Sequence, residues 1–417
     1  MECNVTQRQK VFWNMMGSLC NALSSMILGI IVNRITGSFM GGIFTFAFSN
    51  AQLMYTIGGF EVRPLQSTDV DEKYSFAQYF SYRIITCIAM VIAVTGYVAV
   101  SDYSPLKSMT IWVVAVYKMV EAVADVYAGM FQQHDRIDLS GKTGTARPVL
   151  STIAFGITLY ITKNLVAASA SMIAASAVLF VLYDTRLKRK YFNVKTQFSP
   201  LKGLSVFKDA FPLFIAAFIN MYISNAPKYS INRFYSEEIQ NYYNIIFMPA
   251  FVINLFSLFA FRPMLTDMAR YWNDRALKPL FKIVRNILLW ILFVTLCAMG
   301  GAYLIGAQIL GMLNGLSIMQ YRMDLVLVMV AGGISAIVTF LYYVITVMRR
   351  QKLLIIGYVV GFIQALIVTP ILVRAKGLTG AVLSYGISMA ILAVAFIAII
   401  IVSVLQKEQM CKIYTKV

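Results

Sequence analysis

Apolar residues run through this chain in long stretches, and short polar segments separate the stretches. Each stretch is close to the roughly 20 residues that an α-helix needs to cross a hydrocarbon layer about 30 Å thick. Because backbone groups inside lipid must bond to each other, stretches of this length are expected to be helices. The pattern predicts twelve membrane spans, at about 11–33, 40–61, 82–101, 108–131, 147–163, 165–183, 209–230, 240–261, 285–306, 323–348, 353–373 and 378–405.

The composition favours a membrane protein over a soluble one. Of the 417 residues, 59% are hydrophobic and 13% are charged, whereas soluble domains are about 25% charged. The formal net charge of +18 is compatible with nucleic-acid binding, but the Lys and Arg residues cluster between the apolar stretches. That placement is the orientation signal of membrane proteins. The sequence therefore predicts an all-α, polytopic membrane protein without a nucleic-acid partner.

The distribution of basic residues predicts the orientation of the chain. Of the 36 Lys and Arg residues, 27 lie in segments on the same side as the N-terminus, 8 lie on the other side, and Lys118 lies within a span. Positively charged segments stay preferentially in the cytoplasm. Because twelve spans bring both ends to one side, both termini are predicted to be cytoplasmic.

A short motif recurs at equivalent places in the two halves. The long basic segment between spans six and seven divides the chain into predicted lobes 1–200 and 201–417. An Arg-Pro pair followed by Thr-Asp closes the second span of each half, and a polar loop of about twenty residues is predicted after it. Parallel repeats build transporters with two pseudo-symmetric lobes around a central cavity, although Arg and Pro are also ordinary at helix ends. We assign these residues an architectural role: Arg63, Pro64, Thr68, Asp69, Arg262, Pro263, Thr266 and Asp267.

Motifs for enzyme chemistry are not apparent in the sequence. The segment LSGKTGTARP resembles a phosphate-binding loop, but the pattern requires glycine where Arg136 stands. The five cysteines show no spacing typical of a disulfide or metal framework. The sequence therefore predicts neither an enzyme, nor catalytic residues, nor a bound metal or cofactor.

Three charged residues lie inside span four. Lys118, Glu121 and Asp125 are spaced by three and four positions, which places them on one face of a helix. Charges at membrane depth are costly and normally face the bundle interior or a wet cavity. We expect Lys118 to pair with Glu121, and Asp125 to be a cation-sensitive group. The alternative is a structural polar cluster that holds neighbouring helices together.

Span seven is polar toward its outer half, and Pro227 permits a break in its helix. These side chains suit hydroxyl-rich or anionic cargo, and Lys118 with the basic residues at the outer ends of spans one and seven would form a cationic lining for phosphate oxygens. Alternatively, Arg34 and Arg233 extend to the membrane interface. The candidate cavity residues are Arg34, Lys118, Glu121, Asp125, Asn220, Asn225, Lys228 and Arg233.

Two segments carry a family resemblance. NAPKYSINRFYSEEIQNYYNIIFMPAFVINLFSLFAFRPMLTDMARYW and GGFEVRPLQSTDVDEKYSFAQYFSYR resemble the bacterial polysaccharide transporters, the Wzx-type oligosaccharide flippases. The resemblance implies the multidrug/oligosaccharidyl-lipid/polysaccharide exporter fold, with two six-helix lobes around an alternately open cavity. It also implies a cargo, an oligosaccharide on undecaprenyl pyrophosphate that moves from the inner to the outer leaflet for capsule, O-antigen or exopolysaccharide synthesis.

Several functions remain open at this point. The leading prediction is a flippase of this kind, whose partners are the lipid-linked oligosaccharide, membrane lipid, and the polymerase and glycosyltransferases of its pathway. A cation-coupled multidrug-type exporter of the same fold is the alternative, although no acidic residue lies between Val11 and Ile35 to favour it. A polymerase or ligase would be expected to have a large outer loop, and a scaffold would leave the charges of span four unexplained. Coupling to a proton gradient, a sodium gradient or the membrane potential is left open.

Overall fold

The computed structural model describes residues 6–69, 72–192, 194, 197–261 and 264–414, and within these ranges every regular element is helical. This confirms the predicted all-α class. The chain divides into two compact units, Met1–Met221 and Tyr222–Val417, here called the first unit and the second unit. The limits of the lobes at 200 and 201 remain predictions.

The helices of the first unit follow the predicted spans with small shifts at their ends. The unit contains α1 (Gln7–Thr36), α2 (Ser38–Gly59), α3 (Val62–Thr68), α4 (Phe76–Val100), α5 (Pro105–Gln133), α6 (Ile137–Thr162), α7 (Leu165–Leu179), a π-helical segment (Phe180–Asp184), α8 (Thr185–Tyr191), α9 (Pro200–Gly203), a 3₁₀ turn (Leu204–Val206) and the first half of α10 (Phe207–Phe234).

The second unit contains the end of α10 and the remaining helices. These are α11 (Glu237–Phe261), α12 (Leu265–Asn273), α13 (Leu277–Gly301), a π-helical segment (Ala302–Gly306), α14 (Ala307–Asn314), a 3₁₀ turn (Met319–Tyr321), α15 (Arg322–Val347) and α16 (Gln351–Tyr414). The last two predicted spans form α16 together, and Gly377, with a φ of 56°, makes the kink between them.

Seven described helices are long and apolar enough to cross a membrane by length and composition. Because α16 covers two of the predicted spans, these seven helices account for eight of the twelve predicted spans. The other four predicted spans fall on α2, α5, α6 and α11, which are not among these seven helices. Helices α5 and α6 carry charged residues that face the interior of the first unit, a typical location for ionisable groups in membrane helices.

Three local expectations differ from the structure. The polar loop predicted after span two contains helix α3, and a second short helix, α12, follows α11 in the other half. The segment LSGKTGTARP is part of α6, which begins at Ile137 rather than at 147. Helix α10 continues through Pro227 without the break that this proline would permit, because a helix can accommodate one lost backbone hydrogen bond. Arg262 and Pro263 lie outside the described residues, so the repeated motif remains a prediction there.

Glycines allow α1 and α6 to cross at very short distance. A Cβ atom added to Gly141 would lie 2.3 Å from the backbone carbonyl of Trp13, and one added to Gly17 would lie 2.9 Å from the carbonyl oxygen of Gly141. By contrast, a Cβ at Gly144 would find its nearest neighbour at 3.7 Å. The glycine that resembled part of a phosphate-binding loop is therefore a helix-packing residue, as small residues often are in membrane proteins.

We expect Gly141→Ala to destabilise the protein by about 1–3 kcal/mol, the usual cost of overpacking against backbone that cannot move. Gly144→Ala is the matched control on the same helix and should be neutral or slightly stabilising, because alanine has the higher helix propensity. Thermal unfolding of the two purified variants measures the difference. Equal melting temperatures would contradict a close α1–α6 contact.

Asp69 organises the loop between α3 and α4. Its carboxylate accepts hydrogen bonds from the backbone N–H groups of Lys73 and Tyr74 at 2.8 and 3.0 Å, and from the Tyr79 hydroxyl at 2.8 Å. The side chain of Gln133, at the end of α5, donates to the Asp69 carbonyl at 2.7 Å. Partial burial raises the pKa of Asp69, but the bonds from Tyr74, Tyr79 and Lys73 outweigh it and hold the pKa below its ordinary value.

A carboxylate with a lowered pKa stabilises the fold above the pKa of the unfolded chain and loses this effect as the pH falls through the folded-state pKa. We therefore expect Asp69→Asn to lower stability at neutral pH by about 1 kcal/mol, a modest value because the loop is accessible to water. The difference from the unchanged protein should disappear in acid. Melting temperatures of both proteins from pH 7 to pH 3 provide the test, and a difference independent of pH would contradict it.

Candidate substrate cavity

The first unit contains a polar, partly open cavity of about 210 Å³. Its wall combines a polar face of α1 with side chains from α2, α3, α5 and α6, and four of its members are charged. The lining residues are Asn14, Gly17, Ser18, Asn21, Tyr55, Arg63, Glu121, Asp125, Ala128, Ser140, Gly141, Thr143, Gly144, Arg147 and Pro148.

Asp125 of α5 binds two arginines. Its Oδ1 lies 2.5 Å from Arg63 Nη1, and its Oδ2 lies 3.3 Å from Arg83 Nη2. The Arg83 side chain is completely buried and donates from Nη1 to the carbonyl oxygen of Gly58 at 2.8 Å, so α4 and the end of α2 hold it in place. Arg83 alone neutralises the carboxylate, which leaves Arg63 as a second cation at the cavity wall.

The chain reverses sharply at the end of α2, and this reversal places Arg63. Phe60 and Glu61 both have positive φ, at 44° and 50°, which is uncommon for residues other than glycine. The Phe60 ring stacks on Phe214 with centroids 4.0 Å apart and planes 9° from parallel. From α3, Arg63 then reaches Asp125 and donates to the Ser140 hydroxyl of α6 at 2.8 Å.

Glu121 forms the predicted pair with Lys118. Lys118 Nζ donates to Glu121 Oε2 at 2.6 Å, and the hydroxyl of Tyr117 donates to Oε1 at 2.6 Å. Lys118 also lies 4.7 Å from the centre of the Phe48 ring, in a cation–π contact. Glu121 faces the cavity, whereas Lys118 is buried behind it.

A fourth ion pair supports the α6 wall. Arg147 Nη2 lies 2.5 Å from Asp184 Oδ2, and both side chains are more than nine-tenths buried. Asp184 ends the π-helical segment Phe180–Asp184, a geometry that occurs frequently at functional sites. Arg147 Nε has no hydrogen-bond partner among the described residues.

Cations outnumber carboxylates in this network. The charged residues of the wall and their direct partners comprise the four cations Arg63, Arg83, Lys118 and Arg147 and the three carboxylates Glu121, Asp125 and Asp184. Each carboxylate has at least one basic partner, and one positive charge remains in excess. A polar cavity with an excess cation in low-dielectric surroundings favours an anionic or strongly hydrogen-bonding ligand.

Known proteins resemble the chain along nearly its whole length, although no protein-family profile matches it. Capsular polysaccharide biosynthesis protein CapF of Staphylococcus aureus is 22% identical over 391 residues, which cover 92% of this chain and 95% of CapF. An inward-facing MATE family multidrug resistance transporter of the MOP superfamily matches with a TM-score of 0.69 at 12% identity, over 97% of this chain and 98% of that one. Lipid II flippase MurJ matches with a TM-score of 0.65 at 14% identity, over 94% and 89%.

The chain has the fold of the MOP-superfamily transporters. It is a multi-pass membrane protein, and the match to CapF, taken together with the matches to the transporter structures, confirms the resemblance found in the sequence. The cavity of the first unit is therefore our candidate site.

The predicted site residues divide between the two units of the MOP fold. Within the first unit, Glu121 and Asp125 line the cavity and Lys118 supports Glu121, whereas Arg34 and Asn220 are exposed and are not among the lining residues. The second unit holds the others. Asn225 is buried there, Lys228 is half-buried and Arg233 is exposed beside the Phe234 ring. One cationic lining built from both halves remains a prediction.

Two arginines of the cavity were not predicted as site residues. The sequence interpretation gave Arg63 an architectural role only, whereas the structure places it at the cavity wall. Arg147 was counted only among the basic residues that set orientation. The α1 part of the lining could have been found from the sequence. Asn14, Ser18 and Asn21 are spaced by four and three residues, which places them on one polar face of the helix.

The Arg147–Asp184 pair provides a direct test of charge burial. We expect Arg147→Met to lower stability by about 3–5 kcal/mol, because it leaves the Asp184 carboxylate buried and unpaired. The double variant Arg147→Met/Asp184→Leu should recover most of that loss, since it removes both charges. Unfolding of the single and double variants in detergent measures the coupling. If the double variant were less stable than Arg147→Met, the buried pair would not be the cause.

Proposed function

We propose that this protein is a flippase that moves oligosaccharide units linked to undecaprenyl pyrophosphate across the bacterial cytoplasmic membrane for surface-polysaccharide synthesis. The observation that carries the proposal is the polar cavity of the first unit, whose wall contains Arg63 and Arg147 and whose network has one cation in excess. The printed name of CapF, a capsular polysaccharide biosynthesis protein, supports the same pathway.

The chemistry of such a cargo matches this wall. A pyrophosphate with attached sugars is anionic and rich in hydroxyl groups, so it cannot cross hydrocarbon without a polar path. Arg63 is suited to bind phosphate oxygens because its guanidinium carries several donors in one plane. If Arg63 bonds to the phosphate instead of Asp125, Arg83 still balances the charge of Asp125. The hydroxyl and amide side chains of α1 and α6 supply hydrogen bonds to the sugars. The polyprenyl tail would remain in lipid.

Several further properties belong to this proposal. Both termini lie in the cytoplasm, the chain itself is not an enzyme, and it acts beside the glycosyltransferases and the polymerase of its pathway. Alternating access of the two lobes around a central cavity would move the cargo. A gradient of protons or sodium, or the membrane potential, would supply the energy if transport is coupled.

A cation-coupled multidrug-type exporter is the second candidate. The observation that favours it is the pair of carboxylates on the cavity wall, Glu121 and Asp125, which suit a cationic compound. The arginines of the same wall disfavour such a ligand. Transport assays with a lipid-linked glycan and with a cationic dye distinguish the two functions, and saturable dye transport without glycan transfer would support the exporter.

We expect Arg63→Gln to reduce the initial rate of lipid-linked glycan transfer in proteoliposomes by about tenfold, because it removes a charge-assisted contact to phosphate. Lys163→Gln is the matched control. It removes one positive charge at the exposed end of α6, away from the residues of the wall, and should transfer glycan at the normal rate. Unchanged transfer by folded Arg63→Gln would overturn the assignment of Arg63.

The wider cationic lining is tested separately with Lys118→Ala, Arg34→Ala and Lys228→Ala. We expect at least one of these variants to slow glycan transfer, because each removes a cation predicted to face the cargo. Transfer is measured at matched expression in the membrane. Full transfer by all three variants would show that this predicted lining is wrong.

A further inference from the structure

Two carboxylates stand on the cavity wall beside its arginines. Glu121 and Asp125 lie four residues apart on one face of α5, and both line the cavity. Their side chains are 13% and 17% exposed, so neither is a solvated surface group. A wall that served only to bind phosphate would be weakened by two carboxylates, because like charges repel.

Ion pairs hold both carboxylates in fixed positions and leave them acceptor capacity. A carboxylate offers about four acceptor sites. Each oxygen of Glu121 accepts one hydrogen bond, from Tyr117 or Lys118. Each oxygen of Asp125 likewise accepts one, from Arg63 or Arg83. A sugar hydroxyl is a hydrogen-bond donor, so it can bind a preoriented carboxylate of this kind without displacing the ion pair.

The charge balance of the network limits which sugars are accepted. Cations exceed carboxylates by one, and the pyrophosphate of the proposed cargo already requires that excess. A carboxylate on the adjoining sugar would find no further cation in the network. It would also face Glu121 and Asp125, and their repulsion is strong in a cavity of low dielectric constant.

We propose that Glu121 and Asp125 form a sugar-recognition subsite that binds hydroxyl groups and discriminates against a sugar bearing a carboxylate next to the pyrophosphate. The proposal rests on the proposed function, since it concerns the first sugar of the same cargo. Glu121 and Asp125 act as specificity-determining residues, by accepting hydroxyl hydrogens and by repelling acids.

Two lipids that differ only at one sugar carbon test the proposal. A short-chain polyprenyl pyrophosphate carrying glucose and the same lipid carrying glucuronic acid are titrated into the purified full chain in detergent. We expect the glucose lipid to bind about tenfold more tightly. Binding of neither lipid would overturn the proposed function together with this subsite. Equal binding of both would overturn the subsite alone and leave the flippase function standing.

Variants assign the selectivity to named residues. Glu121→Gln should reduce the ratio of the two affinities to about threefold or less, because the repulsion is weaker and the cationic excess larger. If Glu121→Gln does not fold, Lys118→Gln/Glu121→Gln removes the buried pair as a unit. It should also lower the ratio, through the weaker repulsion alone, since Glu121 and not Lys118 lines the cavity. Asp267→Asn, at an exposed carboxylate of the second unit, is the control. An unchanged ratio in the folded Glu121 variants would overturn the proposal.

Discussion

A carboxylate buried among membrane helices is costly unless basic groups surround it, and Asp125 shows how this requirement organises the first unit. Arg63 reaches it from α3 and Arg83 reaches it from α4. Through these two arginines, the network extends to the Gly58 carbonyl at the end of α2 and to the Ser140 hydroxyl of α6. One acidic side chain on α5 therefore connects five helices, and the cavity lies where they meet.

The same network is compatible with both a stable structure and the proposed binding of cargo. The Arg83 side chain is completely buried and pairs with Asp125, whereas the Arg63 side chain is 32% exposed at the wall. A fixed cation and an accessible cation thus share one carboxylate. In the MOP fold, this arrangement allows Arg63 to contact an anion without leaving a buried charge unpaired, which would cost several kcal/mol.

The sequence was most informative where the determining interactions are local. Long apolar stretches predicted the helices, and the spacing of Lys118 and Glu121 along one helix predicted their ion pair. Arg63 was missed because its position depends on the left-handed turn at Phe60 and Glu61 and on the stacking of Phe60 against Phe214, a contact distant in sequence. The packing role of Gly141 was not predicted for a similar reason, since its close contacts form only where α1 lies against α6. The position of Arg147 could not be predicted either. It depends on the ion pair with Asp184, which lies on a π-helical segment that no sequence periodicity predicts.

The central claim is that the head group of a lipid-linked glycan occupies the cavity of the first unit. Photo-crosslinking tests it most directly, with a polyprenyl pyrophosphate glycan that carries a diazirine on its first sugar, followed by peptide mass spectrometry of the labelled protein. The account predicts adducts on the lining segments of α1, α5 and α6, at residues 14–21, 121–128 and 140–148, and competition by unlabelled lipid-linked glycan. Specific, competed labelling confined to other parts of the chain would contradict it.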